Sequence, residues 1–114
     1  MSTEDRRITN VILLANQLMD TDFQTGPFDT SRFEVYSIQG TYNTLGTTAG
    51  TLKLQVSDDG VTWSDYPSSS HSVTATSTDE FWEVNAKAHQ YVRVNWHQTS
   101  GSGTVITLKL HAEG

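Results

Sequence analysis

Apolar and polar residues alternate on both sides of an Asp58-Asp59-Gly60 step, with Leu52, Leu54 and Val56 before it and Val61 and Trp63 after it. A period of two turns one face of a strand inward, and Asp-Gly accepts the positive φ of a tight turn, so the segment predicts a β-hairpin. The alternation recurs near the C-terminus, where Val92, Val94 and Trp96 oppose Tyr91, Arg93 and Asn95, and Ile106, Leu108 and Leu110 oppose Val105, Thr107 and Lys109. Gln98 to Gly103, rich in Gly and Ser, reads as the hairpin connection between them. With these included, candidate strands fall at 32–39, 51–57, 61–66, 71–76, 80–85, 90–98 and 104–112, divided by turn clusters at 46–50, 67–70, 77–79 and 100–103. Short strands at this spacing predict an all-β chain, an antiparallel β-sandwich of jelly-roll-like form with about eight strands. The predicted inward set is Leu52, Leu54, Val56, Trp63, Val73, Trp82, Val84, Val92, Val94, Trp96, Ile106, Leu108 and Leu110. At ~1.5–3 kcal/mol for each buried side chain, this set can hold one small core.

Three stretches are less regular. Ile8, Val11, Ile12, Ala15 and Met19 fit a helical stripe, while the β-branched cluster from Ile8 to Ile12 favours a strand; the β-rich context decides for the strand. Asp20 to Ser31 reads as a loop punctuated by Gly26-Pro27. In 32–39, Phe33 and Val35 fall on one face and Tyr36 and Ile38 on the other, which implies a bulge or cover on both faces. That makes Tyr36 and Ile38 candidate interface residues. Residues 1–7 read as a flexible arm, leaving 8–114 as a single sandwich domain.

Composition narrows the function more than the fold. The 114 residues contain no cysteine, which excludes a disulfide scaffold and a thiolate centre. A net charge of −6, with seven scattered basic residues of which only Arg6 and Arg7 adjoin, argues against a nucleic-acid partner. Val11 to Leu14 is too short an apolar run to span a bilayer, and the polar start gives no signal peptide, so a protein made in the cytoplasm is expected.

Candidate chemistry is sparse. His71, His89, His97 and His111 lack metal-ligand spacing and read as surface or edge residues. Asp58 and Asp59 could be offered to calcium, but the neighbours supply too few oxygens and the turn reading is preferred. Glu80 and Glu83 fall on opposite faces of a strand, and Asp20 and Asp22 read as solvated charge. No nucleophile elbow or phosphate loop occurs, so no catalytic residue, metal or cofactor is expected. Tyr36, Tyr42, Tyr66, Tyr91 and Phe81 are the aromatics left for a surface role, either as a protein interface or as a sugar platform.

The run Gly50 to Trp63 resembles a segment of small structural proteins of tailed bacteriophages, as do Tyr91-Val92-Arg93-Val94-Asn95-Trp96 and the Thr99–Thr104 loop after it. The order of parts agrees over residues 8–112. The resemblance implies a jelly-roll sandwich and a virion component, most simply a decoration or cement protein on the outer surface of the capsid. Its partners would be the major capsid protein and copies of itself, in a closed homo-oligomer with a trimer expected before a dimer. A place in the neck, tail or fibre, or a carbohydrate-binding module, are the alternatives. Interface contributions are expected from Arg6 and Arg7 in the arm and from Phe23, Pro27 and Phe28 in the loop.

Overall fold

The computed structural model describes residues 8–30, 33–44, 46–74, 79–84 and 90–113. They form ten strands: β1 (Ile8–Leu18), β2 (Phe23–Gln24), β3 (Phe28–Asp29), β4 (Val35–Thr44), β5 (Ala49–Ser57), β6 (Ser64–Asp65), β7 (His71–Val73), β8 (Asp79–Val84), β9 (Tyr91–Ser100) and β10 (Val105–Glu113). The expected arm (residues 1–7), with Arg6 and Arg7, lies outside the described residues, as does His89.

All pairings are antiparallel. A four-stranded sheet has the order β1-β10-β4-β8, and a second has β2-β9-β5-β6, with β3 also on β9 and β7 also on β5. Counting β2 with β3 and β6 with β7 as two broken strands recovers the expected eight. They interleave as two four-membered layers, a jelly-roll-like sandwich. The core lies between the layers: Leu52, Leu54, Val56, Val92, Val94 and Trp96 from one, and Tyr36, Ile38, Ile106, Leu108, Leu110 and Trp82 from the other. Of the predicted inward residues, Trp63 is absent from this core, and the side chain of Val84 lies outside the description.

β1 is a strand, and its helix-like spacing comes from irregular register. Pairing with β10 is continuous from Ile8↔Glu113 to Ile12↔Lys109, then shifts between Ile12 and Leu14 and again between Leu14 and Gln17. Each shift inserts an extra residue, so apolar positions recur at wider spacing than two. Asn16 takes a positive φ of 53° within the second irregularity, and its N–H donates to Thr107 Oγ1 at 3.1 Å.

β4 alternates without a break once its true start is known. From Val35 onward, Tyr36, Ile38, Gly40 and Tyr42 point inward, while Phe33 enters the core from before the strand. No second cover is needed. Tyr36 and Ile38, offered as interface residues, are instead 3% and 0% exposed between the sheets.

The predicted loop from Asp20 to Ser31 is, over the described residues to Thr30, stitched to β9. Phe23 pairs with Trp96 and Phe28 with Val92, while Thr25 exchanges bonds with Val94 through its N–H (3.0 Å) and its Oγ1 (3.0 Å). A residue paired with an inward-facing one faces inward too, so Phe23 and Phe28 pack against the core, the latter stacked on Phe33 at 6.3 Å. Pro27 alone of that group is exposed.

Buried polar groups are satisfied. Trp96 Nε1 donates to the Met19 carbonyl (3.1 Å) and Trp82 Nε1 to that of Ser69 (2.7 Å). Among the described residues no buried side-chain nitrogen or oxygen lacks a partner. At one end Gly101, at φ 79°, lies against the Thr47 carbonyl so closely that a Cβ would sit 1.9 Å from its oxygen. Thr47 N–H donates to Ser102 O at 2.8 Å, locking the β4–β5 and β9–β10 connections together.

Candidate binding face

The Asp58-Asp59-Gly60 segment folds as a capped loop rather than a two-residue turn. Pairing of β5 with β6 resumes only at Val56↔Ser64 and Gln55↔Asp65. Asp59 Oδ1 accepts the N–H groups of Val61 and Thr62, each at 2.8 Å, and the Ser57 hydroxyl at 2.9 Å. Ser57 Oγ in turn accepts Gly60 N–H at 2.8 Å, and Gly60 supplies the one positive φ of the loop, 78°. These donors, first those of Thr62 and Val61 and then Ser57, hold the Asp59 carboxyl at about 2. A carboxylate so ringed by N–H donors is a loop cap, and its chemistry does not favour a cation.

The wider loop changes the phase of Trp63. Asp65 shares the outer face with Gln55, so Trp63, two residues earlier, falls on that face also. There the Arg93 guanidinium lies over its ring, 4.3 Å from the centroid. Arg93 Nε donates to Gln55 Oε1 at 2.8 Å, Gln55 Nε2 donates to Asp65 Oδ1 at 3.0 Å, and Lys53 Nζ reaches Asp65 Oδ2 at 3.1 Å. Gln24 Nε2 donates to Asn95 Oδ1 at 2.8 Å beside them. Partial burial lowers the pKa of Arg93, while Gln55 and then Lys53 lower that of Asp65. The outer face of the six-stranded sheet is thus a connected array of planar polar groups flanking one indole.

Further along, Asp22 accepts the Gln98 N–H at 2.7 Å and faces His97 Nδ1 at 3.0 Å, and these contacts, the backbone one first, lower its pKa. Asp20 Oδ1 accepts Gly103 N–H at 2.9 Å. Both carboxylates therefore fasten the chain after β1 to its neighbours. His111 bridges Asn10 (2.7 Å) and Glu113 (2.9 Å), and His71 meets Trp82 edge-on at 4.9 Å. Among the described residues no three His, Asp or Glu side chains converge as metal ligands. Tyr42 is buried, and Tyr66 packs half-buried on the core. Burial, and then the nearby Tyr66, push the Tyr36 phenol up, so it remains protonated. The side chains of Glu80, Phe81 and Glu83 lie outside the description. What the face can do is hydrogen-bond and stack.

The fold is similar to that of the SPBc2 prophage-derived protein YomS. The two agree over 100% of this chain and 99% of that one, at a TM-score of 0.68 and 11% identity. The PBSX exported protein XepA matches 91% of this chain with 36% of its own, at a TM-score of 0.61 and 14% identity. A CBM4 structure matches 94% of this chain with 71% of its own, at a TM-score of 0.50 and 15% identity. At such identities the likeness is one of fold. No family model matches the chain, and no curated protein sequence does.

The Trp63–Arg93 pair escaped the sequence reading because alternation was continued through the loop. The Ser57–Asp59 spacing was the available signal: a hydroxyl and a carboxylate two residues apart favour a side-chain-capped loop over a two-residue turn.

Proposed function

We propose that the chain is a non-enzymatic structural protein of a tailed bacteriophage, carried on the outside of the capsid as a decoration or cement protein. The observation that supports this reading is the end-to-end agreement with a prophage-derived protein of matching extent, 100% of one chain against 99% of the other. The same unit fits part of a second prophage protein, one described as exported. A cement protein needs a rigid scaffold and a complementary face, repeated in many copies so that weak contacts add through avidity. A flat polar array around Trp63 and Arg93 suits contact with a protein shell, since Arg and Trp are enriched at such contacts. Arg6 and Arg7 add cationic contacts in an otherwise acidic chain. The test is co-sedimentation of the purified chain with heads of the phage that encodes it. Saturable binding, weakened by Trp63→Ala with Arg93→Ala, is expected; heads that never retain the chain overturn the reading.

A second reading rests on a specific observation. An indole on an exposed face, flanked by Arg93, Gln55, Asn95 and Gln24, is also a chemistry that can recognise sugar rings through stacking and planar hydrogen bonds. A shift in tryptophan fluorescence on adding glycan, lost in Trp63→Ala, would favour that reading over the first.

A further inference from the structure

The two sheets have four edges, and three of them carry a feature that discourages pairing with another chain. On the six-stranded sheet the outlying strands are short: β2, β3 and β6 have two residues each and β7 has three. On the four-stranded sheet, β8 carries Asp79, Glu80 and Glu83 within six residues. β1, the opposite edge, is neither short nor charged, and its two irregularities lie beyond Ile12. Its eleven residues, ITNVILLANQL, include no charge, proline or glycine, and among the described strands it pairs only with β10. Ile8, Ile12 and Leu18 are 57%, 61% and 47% exposed, and of the described large apolar side chains only Val61 joins them.

We propose that Ile8–Ile12 of β1 pairs antiparallel with the same stretch of a second copy. This stretch is the regular part of the strand, since the register first shifts after Ile12. Its pattern is self-complementary. A two-fold axis through Asn10 sets Ile8 opposite the second copy's Ile12, Asn10 opposite Asn10, and Thr9 opposite Val11. Ile8, Asn10 and Ile12 are the exposed positions of the alternation, so isoleucine meets isoleucine on the outer face and no charge opposes a charge. A second copy is thus an occupant for which this edge already carries matching residues. The product is a continuous eight-stranded sheet, β8-β4-β10-β1 followed by its mirror order. Both of its outer edges are the acidic β8, so growth stops at two copies. A two-fold pair takes the place of the trimer expected from the resemblance. Five residues of edge contact bury less than a standard interface, so association depends on concentration.

The inference rests on the phage reading only for its purpose, because self-association is measured without capsids. Sedimentation of the full chain over a concentration series is expected to show monomer passing to dimer. Ile8→Lys with Ile12→Lys sets lysines opposite lysines and should hold the chain monomeric, and Ile8→Glu with Ile12→Glu should do the same. Mixing the two variants should restore a dimer, because each lysine then faces a glutamate. Both positions are exposed in the monomer, and circular dichroism checks that the variants fold. A wild-type monomer at every concentration overturns the proposal. So does an oligomer that survives both double variants, or a mixture that stays monomeric. A dimer that never binds heads would instead overturn the cement reading and leave this one standing.

Discussion

Trp96 is fully buried and donates its indole N–H to Met19, whereas Trp63 lies on the outer face beneath a guanidinium. Removing them should therefore cost very different amounts. Trp96→Ala is expected to lose ~3–5 kcal/mol in denaturant unfolding, as large-to-small core changes do. Trp63→Ala should lose no more than about 1 kcal/mol, the size of an exposed cation–π contact. The fate of Trp96 was legible from alternation in β9, which holds from Tyr91 to Trp96. That of Trp63 was not, because the loop capped by Asp59 and Ser57 resets the phase before β6 begins. The same cap makes a pH prediction. Asp59 has its folded pKa depressed to about 2 from the ordinary 3.8, so the stability it contributes is complete above about 4 and is lost as the pH falls toward 2. Stability followed from pH 5 to 2 should decline less steeply in Asp59→Asn than in the wild type. Equal slopes would remove Asp59 from the acid response.

Among the elements, β1 and the stretch after it depart most from their sequence signals, and each has a physical reason. Extra residues at two register shifts stretched the apolar spacing of β1 toward that of a helix. The stretch from Asp20 to Thr30 has loop composition because its strands are two residues long, too short for periodicity to register. Its phenylalanines were read as anchors for a partner, and pairing with Trp96 and Val92 turns them to the core instead. Phe23→Ser and Phe28→Ser should each cost ~1–3 kcal/mol in unfolding, the value of a partly buried aromatic side chain. Unchanged stability would return them to the surface. At the other end, Gly101→Ala should destabilise by ~1–3 kcal/mol, because φ 79° strains an L side chain and its Cβ meets the Thr47 carbonyl. The expected β9–β10 hairpin is not formed, because the Gly- and Ser-rich connection crosses between the layers: β9 pairs with β5 and β2, and β10 with β1 and β4. The core faces of β5, β9 and β10 needed no correction, since long strands with one buried face announce which side is inward.

At the scale of the whole molecule, a sandwich with two chemically different outer faces and one uncharged edge is suited to assembly. The two antiparallel layers bury the core between them and turn their polar side chains outward. One face presents Trp63, Arg93 and their amide neighbours. The other holds a shallow groove of about 460 Å³ bordered by Asn10, Ile12, Lys109, His111, Ser37 and Gln39, next to the β1 edge. Pairing at β1 would double the number of polar faces offered to a shell, and avidity would rise accordingly. The central claim is that the chain is a component of the phage particle, and counting it in purified particles tests that most directly. Quantitative mass spectrometry of gradient-purified virions should find it at a fixed ratio to the major capsid protein, retained after washing. Particles that lack it, or carry it at a ratio that falls with each wash, would contradict the account.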